Sequence, residues 1–171
     1  RILEIKIKGK NIYDVLDMTI EDSLNFFENS KTIINKLKPL YDVGLGYLKL
    51  GQSSSTLSGG EAQRLKLASY LIKDNKTSKN NSLFIFDEPT SGLHNMDIEN
   101  FMKSINDLIV RNNSVIIIEH NIELIKQADW IIDIGPGGGQ NGGTICFEGA
   151  PIDLIKIKNN KTGKYLKKMF V

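Results

Sequence analysis

Leu57-Ser58-Gly59-Gly60-Glu61-Ala62-Gln63-Arg64 is the stretch around which the chain is organised. Ser58 and Glu61 stand three apart, the spacing of a capping box, so the stretch predicts a helix start. Two glycines leave its first turn without side chains. A helix N-terminus offers unpaired backbone N–H groups and a partial positive charge. Glycines there let an anion such as phosphate come close. Two readings therefore stand together: a plain helix start, and a helix start built to receive an anion. The rest of the chain decides between them.

Downstream, Ala62, Leu65, Ala68, Leu71 and Ile72 continue a helical pattern to about Lys73. Residues 74–82 hold only Asp, Asn, Lys, Thr and Ser, a solvated loop. Leu83-Phe84-Ile85-Phe86 is a short apolar run that predicts a strand buried on both faces. Ile98, Phe101, Met102, Ile105, Leu108 and Ile109 form one helical stripe. Val115-Ile116-Ile117-Ile118 predicts a second buried strand, Ile122 and Ile125 a short helix, and residues 130–134 a third strand. Strands alternating with amphipathic helices argue for βαβ units and a parallel sheet. The cluster Gly135-Pro136-Gly137-Gly138-Gly139 leads into an apolar strand, 144–148, and reads as a hairpin turn and not as a phosphate loop. Pro151 suits the first position of a helix. No acidic residue follows Asp153, and six lysines do; their simplest reading is a solvated basic end.

Upstream, Leu3, Ile5 and Ile7 alternate with charged residues, which predicts a half-buried strand ending at Gly9. Thr19 fits an N-cap with Glu21 and Asp22 in the first turn. A further amphipathic helix carries Ile33, Ile34, Leu37 and Tyr41, and Pro39 should bend or end it early.

Composition bounds the function. At 171 residues, 40% hydrophobic and 25% charged, the chain suits about one domain with a real core. A net charge of +2 gives no global footprint for nucleic acid. Cys146 is the only cysteine, which excludes an internal disulfide and a multi-cysteine zinc site, and fits a reducing compartment. No apolar run approaches the roughly 18 residues of a membrane span. Only Arg1, Arg64 and Arg111 stand against a large excess of lysine, so Arg64 draws notice: a guanidinium makes a planar fork that an ammonium cannot.

Beyond the helix start at Ser58, two places carry chemistry. Asp87-Glu88-Pro89 follows the apolar run directly. The carboxyl end of a parallel strand is where open α/β sheets place ligands. Asp87 would hold Mg²⁺, a hard cation that wants oxygen. Glu88 would orient and deprotonate a water. The plainer reading is a strand ending in exposed acids. His120 ends the second apolar run, and a histidine there can bond a terminal phosphate or the attacking water; locally bonded, it is only a strand end. His94 simply starts a helix.

The order of these features, signature-like Ser58 to Glu61, strand plus acids at 83–88, strand plus histidine at 115–120, resembles the ATP-binding-cassette ATPases. In that family's terms Leu57 to Arg64 resembles the signature motif, Leu83 to Glu88 the Walker B strand, Ser91 to Asp97 the D-loop and His120 the switch histidine. Asp42 to Tyr47, Leu50-Gly51-Gln52, Gly92-Leu93-His94, Ile118 to Asn121 and Asp133 to Pro136 narrow the likeness. From about residue 3 to 168 the chain resembles the C-terminal part of the UvrA family, damage-sensing ATPases of bacterial nucleotide excision repair.

That resemblance implies a parallel α/β core half of the P-loop NTPase type with a helical signature subdomain, divided at residues 80 and 81. It implies Glu88 and His120 as catalytic residues, Asp87 on Mg²⁺, and Ser58, Gly59, Gly60, Glu61, Asp87 and Asp97 as ATP-binding residues. It implies binding to damaged duplex DNA, a homodimer, a UvrB partner and a cytoplasmic location, with no membrane. A phosphate loop, Gly-x4-Gly-Lys-[Ser/Thr], is absent: Gly9-Lys10 precedes Asn11, and Gly163-Lys164 precedes Tyr165. That loop and the family's zinc modules are expected before Arg1, so the chain, which begins without Met, is expected to be a piece of something longer that is inactive alone. Two other readings stay open: an ATPase subunit of a transporter or a ribosome-associated cassette, and a non-catalytic interaction fragment.

Overall fold

The computed structural model describes residues 2–73 and 81–170. They fall into two compact units, Arg1–Ile118 and Glu119–Val171. The boundary expected at residues 80 and 81 adjoins the stretch 74–80, and the solvated loop expected at 74–82 falls mostly on that stretch, which lies outside the described residues.

The first unit contains α1 (Ile12–Asp17), α2 (Ile20–Phe26), α3 (Lys31–Leu40), α4 (Gly59–Lys73), β1 (Leu83–Asp87), α5 (Asn95–Val110) and β2 (Ser114–Ile118). Its caps follow from side chains short enough to reach orphan N–H groups. Asn11 Oδ1 accepts from the Asp14 N–H at 3.0 Å, and Thr19 Oγ1, the N-cap that the sequence predicts, accepts from the Asp22 N–H at 3.0 Å.

The N-terminal strand does not form. Ile2–Glu4 is a single 3-10 turn, and Ile7 and Lys10 bridge each other across Lys8-Gly9. Both turn residues have positive φ, 47° and 79°, the signature of a tight hairpin turn. The chain thus doubles back before a strand can extend, and among the described residues no strand lies beside it. Leu3 and Ile5 stay exposed.

Pro39 does not end α3 early. The helix runs to Leu40, and the irregularity comes after it, in a wide π-type turn Tyr41–Leu45. Gly44 closes that turn at φ 77°, and a β-carbon on it would stand 2.7 Å from Leu93 Cδ2. Val43 and Leu45 flank it, fully buried. α3, α4 and α5 pack around this turn, and Leu67, Ala68, Phe101, Ile105 and Leu108 complete the core.

β1 and β2 pair in parallel, Leu83 opposite Ser114 and Asp87 opposite Ile118. Phe84 meets Tyr70 of α4 edge-on, with ring centroids 4.7 Å apart, and Phe86 meets Phe101 of α5 at 6.1 Å. Alternation sends Leu83, Ile85, Ile116 and Ile118 to the other face, where each is more than half exposed. Burial on both faces, which the apolar runs predict, is met on one face only.

The second unit contains α6 (Ile122–Ile125), β3 (Ile131–Gly135), β4 (Thr144–Gly149), α7 (Pro151–Leu154) and α8 (Lys161–Lys167). β3 joins no parallel sheet here; it pairs antiparallel with β4, Ile131 opposite Gly149. The glycine-rich connection 136–143 is too short for a parallel crossover, which needs about a dozen residues or more. It serves as the hairpin connection the sequence predicts. Pro151 starts α7 as expected. Ile131, Leu154 and Leu166 form the core of the unit, with Ile122, Ile125 and Phe147 against it.

The basic end is more than a solvated tail. Asn160 Oδ1 caps α8 through the Gly163 N–H at 2.7 Å. Asn160 Nδ2 and Thr162 Oγ1 both donate to the carboxylate of Asp133, at 2.6 and 2.9 Å. Leu166 docks the helix into the core while Lys164, Lys167 and Lys168 face solvent.

Candidate functional site

The helix start at Ser58 is capped from both sides. The Ser58 N–H donates to Glu61 Oε2 at 2.6 Å, and the Glu61 N–H donates to Ser58 Oγ at 3.3 Å. The Tyr47 hydroxyl donates to the other carboxylate oxygen of Glu61. That bond, first, and the Ser58 N–H, second, hold the Glu61 carboxyl below the usual carboxylate range. Partial desolvation, and then the Glu61 carboxylate, hold the Tyr47 hydroxyl above the usual tyrosine value.

The two glycines differ. A β-carbon on Gly59 would meet nothing within 4 Å, whereas one on Gly60 would lie 3.3 Å from Arg64 Nη1 and 3.6 Å from the carbonyl oxygens of Glu88 and Ser91. Gly60 is small because the loop after β1 passes close by. Gly59 has no such packing reason; its bare turn faces open space beside the exposed Ser58.

One turn further along α4, Gln63 and Arg64 reach the same loop. Gln63 Nε2 donates to the Asp87 carbonyl, and its Oε1 accepts from the Asp87 N–H, each at 3.1 Å. The amide therefore completes the backbone of the last β1 residue as a neighbouring strand would. Arg64 is fully buried, and its Nη1 donates to the carbonyls of Pro89 at 2.6 Å and Ser91 at 3.2 Å. Its Nε and Nη2 are buried without a hydrogen-bond partner among the described residues.

Asp87 and Glu88 emerge exposed at the carboxyl end of β1. Glu88 adopts φ 47°, a left-handed conformation that costs a non-glycine residue about 1–2 kcal/mol. Its N–H donates to the Ile118 carbonyl at 2.9 Å, and its carbonyl accepts from the Ser91 N–H at 3.1 Å. Pro89 and Thr90 are buried beneath the turn. His94 stands at the N-cap of α5, and Asp97, half-buried, lies in the first turn of that helix beside Gly44.

The first unit thus gathers Ser58 to Glu61 and Asp87 to Ser91 through α4, with Asp97 against Gly44 of the π-type turn. His120 belongs to the second unit. It is exposed, and its N–H and that of Asn121 both donate to Glu119 Oε2, at 2.9 and 3.1 Å. Asn121 in turn caps α6 through the Glu123 N–H.

Asp87 suits Mg²⁺, which keeps several waters and takes one or two carboxylates plus substrate oxygens. Among the described residues no group of three or more His, Cys, Asp or Glu side chains forms a closed metal cage. No helix among them is long and apolar enough to cross a membrane.

Sequence reasoning singled out Arg64 but passed over Gln63. Arg64 carried a signal, an arginine amid lysines. Gln63 carried none, because its partner lies 24 residues away.

No family model matches the chain. Curated relatives do. It is 53% identical over 167 residues to UvrABC system protein A of Mycoplasmopsis pulmonis, a match spanning 98% of this chain and 17% of that protein. It is 54% identical over 167 residues to UvrABC system protein A of Staphylococcus aureus, with the same coverage of both. Among solved structures, UvrA2 from Deinococcus radiodurans superposes with a TM-score of 0.79 at 39% identity, over 98% of this chain and 20% of that one. A bacterial Atm1-family ABC exporter with ATP bound superposes at 0.52 with 17% identity, over 97% of this chain and 32% of that one, and so shares the fold alone. The chain spans 17% of the length of its curated relatives. Over that span it belongs to the UvrA family, with the α/β fold of the ABC-type ATPases.

Proposed function

We propose that this segment supplies half of each of two composite ATP sites in a DNA damage-recognition ATPase of nucleotide excision repair. The observation that carries the reading is the pairing of two exposed elements on one compact unit. One is the capped, side-chain-free helix start at Ser58 and Gly59; the other is the acid pair Asp87-Glu88 at the end of a parallel strand. The phosphate loop that either would need is not in the sequence.

Bound Mg²⁺-ATP supplies the phosphoryl group that is transferred to water. Asp87 would hold the cation, directly or through water. Glu88 would take the proton of the attacking water, a contribution of about 10² to 10⁴ in rate. Asp97 would line the site of Asp87 and Glu88, and His120, on the second unit, would donate a hydrogen bond to a terminal phosphate. The N–H groups of Gly59 and Gly60, with Ser58 Oγ, would donate to the phosphate of a second ATP held chiefly by another cassette. Glu61 would keep those donors aimed by fixing the cap. Phosphoryl transfer depends on positioning and charge neutralisation, so neither half-site suffices alone.

The family supports a homodimeric, cytoplasmic protein that engages damaged duplex DNA and a UvrB partner. Functionally, residues 1–80 carry the signature and residues 81–171 the Walker B and switch elements. ATP turnover tests the reading. The 171-residue segment should hydrolyse ATP negligibly, while the full-length protein should turn it over. Glu88→Gln in the full-length protein should lower kcat by about 10²-fold or more. Robust, Glu88-dependent turnover by the segment, or full-length turnover indifferent to Glu88→Gln, would reject it.

A further inference from the structure

We propose that Gln63 and Arg64 are positioning residues for Glu88, holding the proposed general base in its strained conformation from both sides. The inference rests on the ATPase reading of Glu88 given above.

Glu88 is one of three non-glycine residues with positive φ among the described residues. The other two, Lys8 and Asn112, lie in turns: Lys8 in the Ile7–Lys10 hairpin turn, and Asn112 between α5 and β2. Glu88 instead follows directly on a strand whose end is pinned. A left-handed glutamate persists only where its surroundings over-determine the backbone. Here they do. On the N-terminal side, Gln63 satisfies both the N–H and the carbonyl of Asp87. On the C-terminal side, Arg64 Nη1 gathers the carbonyls of Pro89 and Ser91. The backbone of Glu88 itself is bonded to Ile118 and Ser91. Gly60 leaves room for this arrangement, since any β-carbon there would press on Arg64 Nη1 at 3.3 Å.

The choice of residues supports a positioning role. A buried guanidinium is costly unless bonded, and this one finds no partner for Nε and Nη2 among the described residues while Nη1 serves two carbonyls. A lysine can offer only a point charge there. For Gln63, no other residue type presents a donor and an acceptor side by side at that reach except asparagine, which is one methylene shorter. Both residues lie on the helix capped by Ser58, so the element proposed to face one nucleotide is bonded to the residues on either side of the base that would serve the other.

The test is steady-state ATP hydrolysis by the full-length protein and three variants, Gln63→Leu, Glu88→Gln and the double variant. Gln63→Leu keeps the bulk of the side chain and removes both hydrogen bonds to Asp87. It should lower kcat by about tenfold to a hundredfold, the scale of an ångström-sized misplacement, with KM for ATP within twofold of wild type. Far-UV circular dichroism and the melting temperature report whether the variant folds. Gln63→Asn or Gln63→Glu, each retaining part of the pair, should fall between. If Gln63 acts through Glu88, the double variant should hydrolyse no more slowly than Glu88→Gln alone. A Gln63→Leu protein with wild-type kcat, a loss matched by a rise in KM, or a double variant whose loss is the product of the single losses would each overturn the inference while leaving the ATPase reading intact. A variant that does not fold would reduce Gln63 to a structural residue and overturn it too. Wild-type protein without Glu88-dependent turnover would overturn both.

Discussion

Gly60 lies against the carbonyl of Glu88: a β-carbon on it would stand 3.6 Å from that oxygen and 3.3 Å from Arg64 Nη1. Gly59, its neighbour, faces open space. The pair separates folding from ligand access within one motif. Gly59→Ala should leave stability within about 0.5 kcal/mol, as an exposed helix-start substitution does, yet a methyl there would crowd an approaching phosphate. ATP turnover of the full-length protein should fall while denaturant midpoints hold. Gly60→Ala should lower both, because Arg64 and the loop after β1 must give way. Equal behaviour of the two variants would show that the bare turn has no ligand role.

Tyr47 and Glu61 make stability depend on pH at both ends. The folded carboxyl of Glu61 titrates below its ordinary 4.5, so its contribution is present above that value and is lost as pH falls through the folded one. The Tyr47 hydroxyl titrates above its ordinary 10.0, so its contribution is present below that value and is lost as pH rises through the folded one. Tyr47→Phe should flatten both limbs of the unfolding free energy against pH. At neutral pH it should cost about 1 kcal/mol or less, since both groups touch solvent. Denaturation between about pH 3 and pH 11 checks this against the reference ionisations; parallel curves for variant and wild type would contradict it.

Asp133 ties the last helix to the hairpin of the second unit. It accepts from Asn160 and Thr162, and Asn160 also caps α8. Asp133→Ala should leave those donors unpaired and cost about 1–3 kcal/mol. Hydrogen exchange should report the loss first in Lys161–Lys167, before β3 and β4 open. Uniform acceleration across the whole unit would show instead that α8 does not open on its own.

Gly44 is the steric hinge of the first core. Alanine there would be strained at φ 77° and would strike Leu93 Cδ2 at 2.7 Å. The left-handed conformation alone costs about 1–2 kcal/mol, and the clash adds overpacking of about 1–3 kcal/mol. Gly44→Ala should therefore lower the melting temperature by several degrees, whereas Gly138→Ala, with nothing near it and an ordinary φ, should not.

Much of this fold is legible in the chain because its signals are local. Ser58 and Thr19 each accept, with their own side chains, the N–H three residues on, and the apolar runs 83–86 and 115–118 declare strands by composition. Pairing was not local. Leu3 to Gly9 has the alternation of a strand, but no strand lies beside it among the described residues, and two left-handed residues turn it back. Residues 130–134 announce a strand without announcing its partner, and the short glycine connection made that partner β4.

The sequence by itself determined the motif order, the helix start at Ser58, the acids after β1 and the family they indicate. Periodicity and capping act within a few residues, so one dimension suffices to read them. Only the tertiary structure decided that Gly60 is a packing glycine and Gly59 an open one. It alone showed that Gln63 completes the backbone of Asp87, and that the isolated arginine at 64 is buried to hold Pro89 and Ser91. Those contacts join residues 24 to 27 apart, and such a join leaves no periodic trace. It exists because side chains of α4 reach across to β1, Tyr70 to Phe84 and Gln63 to Asp87, which brings the helix start and the acid pair onto one compact unit.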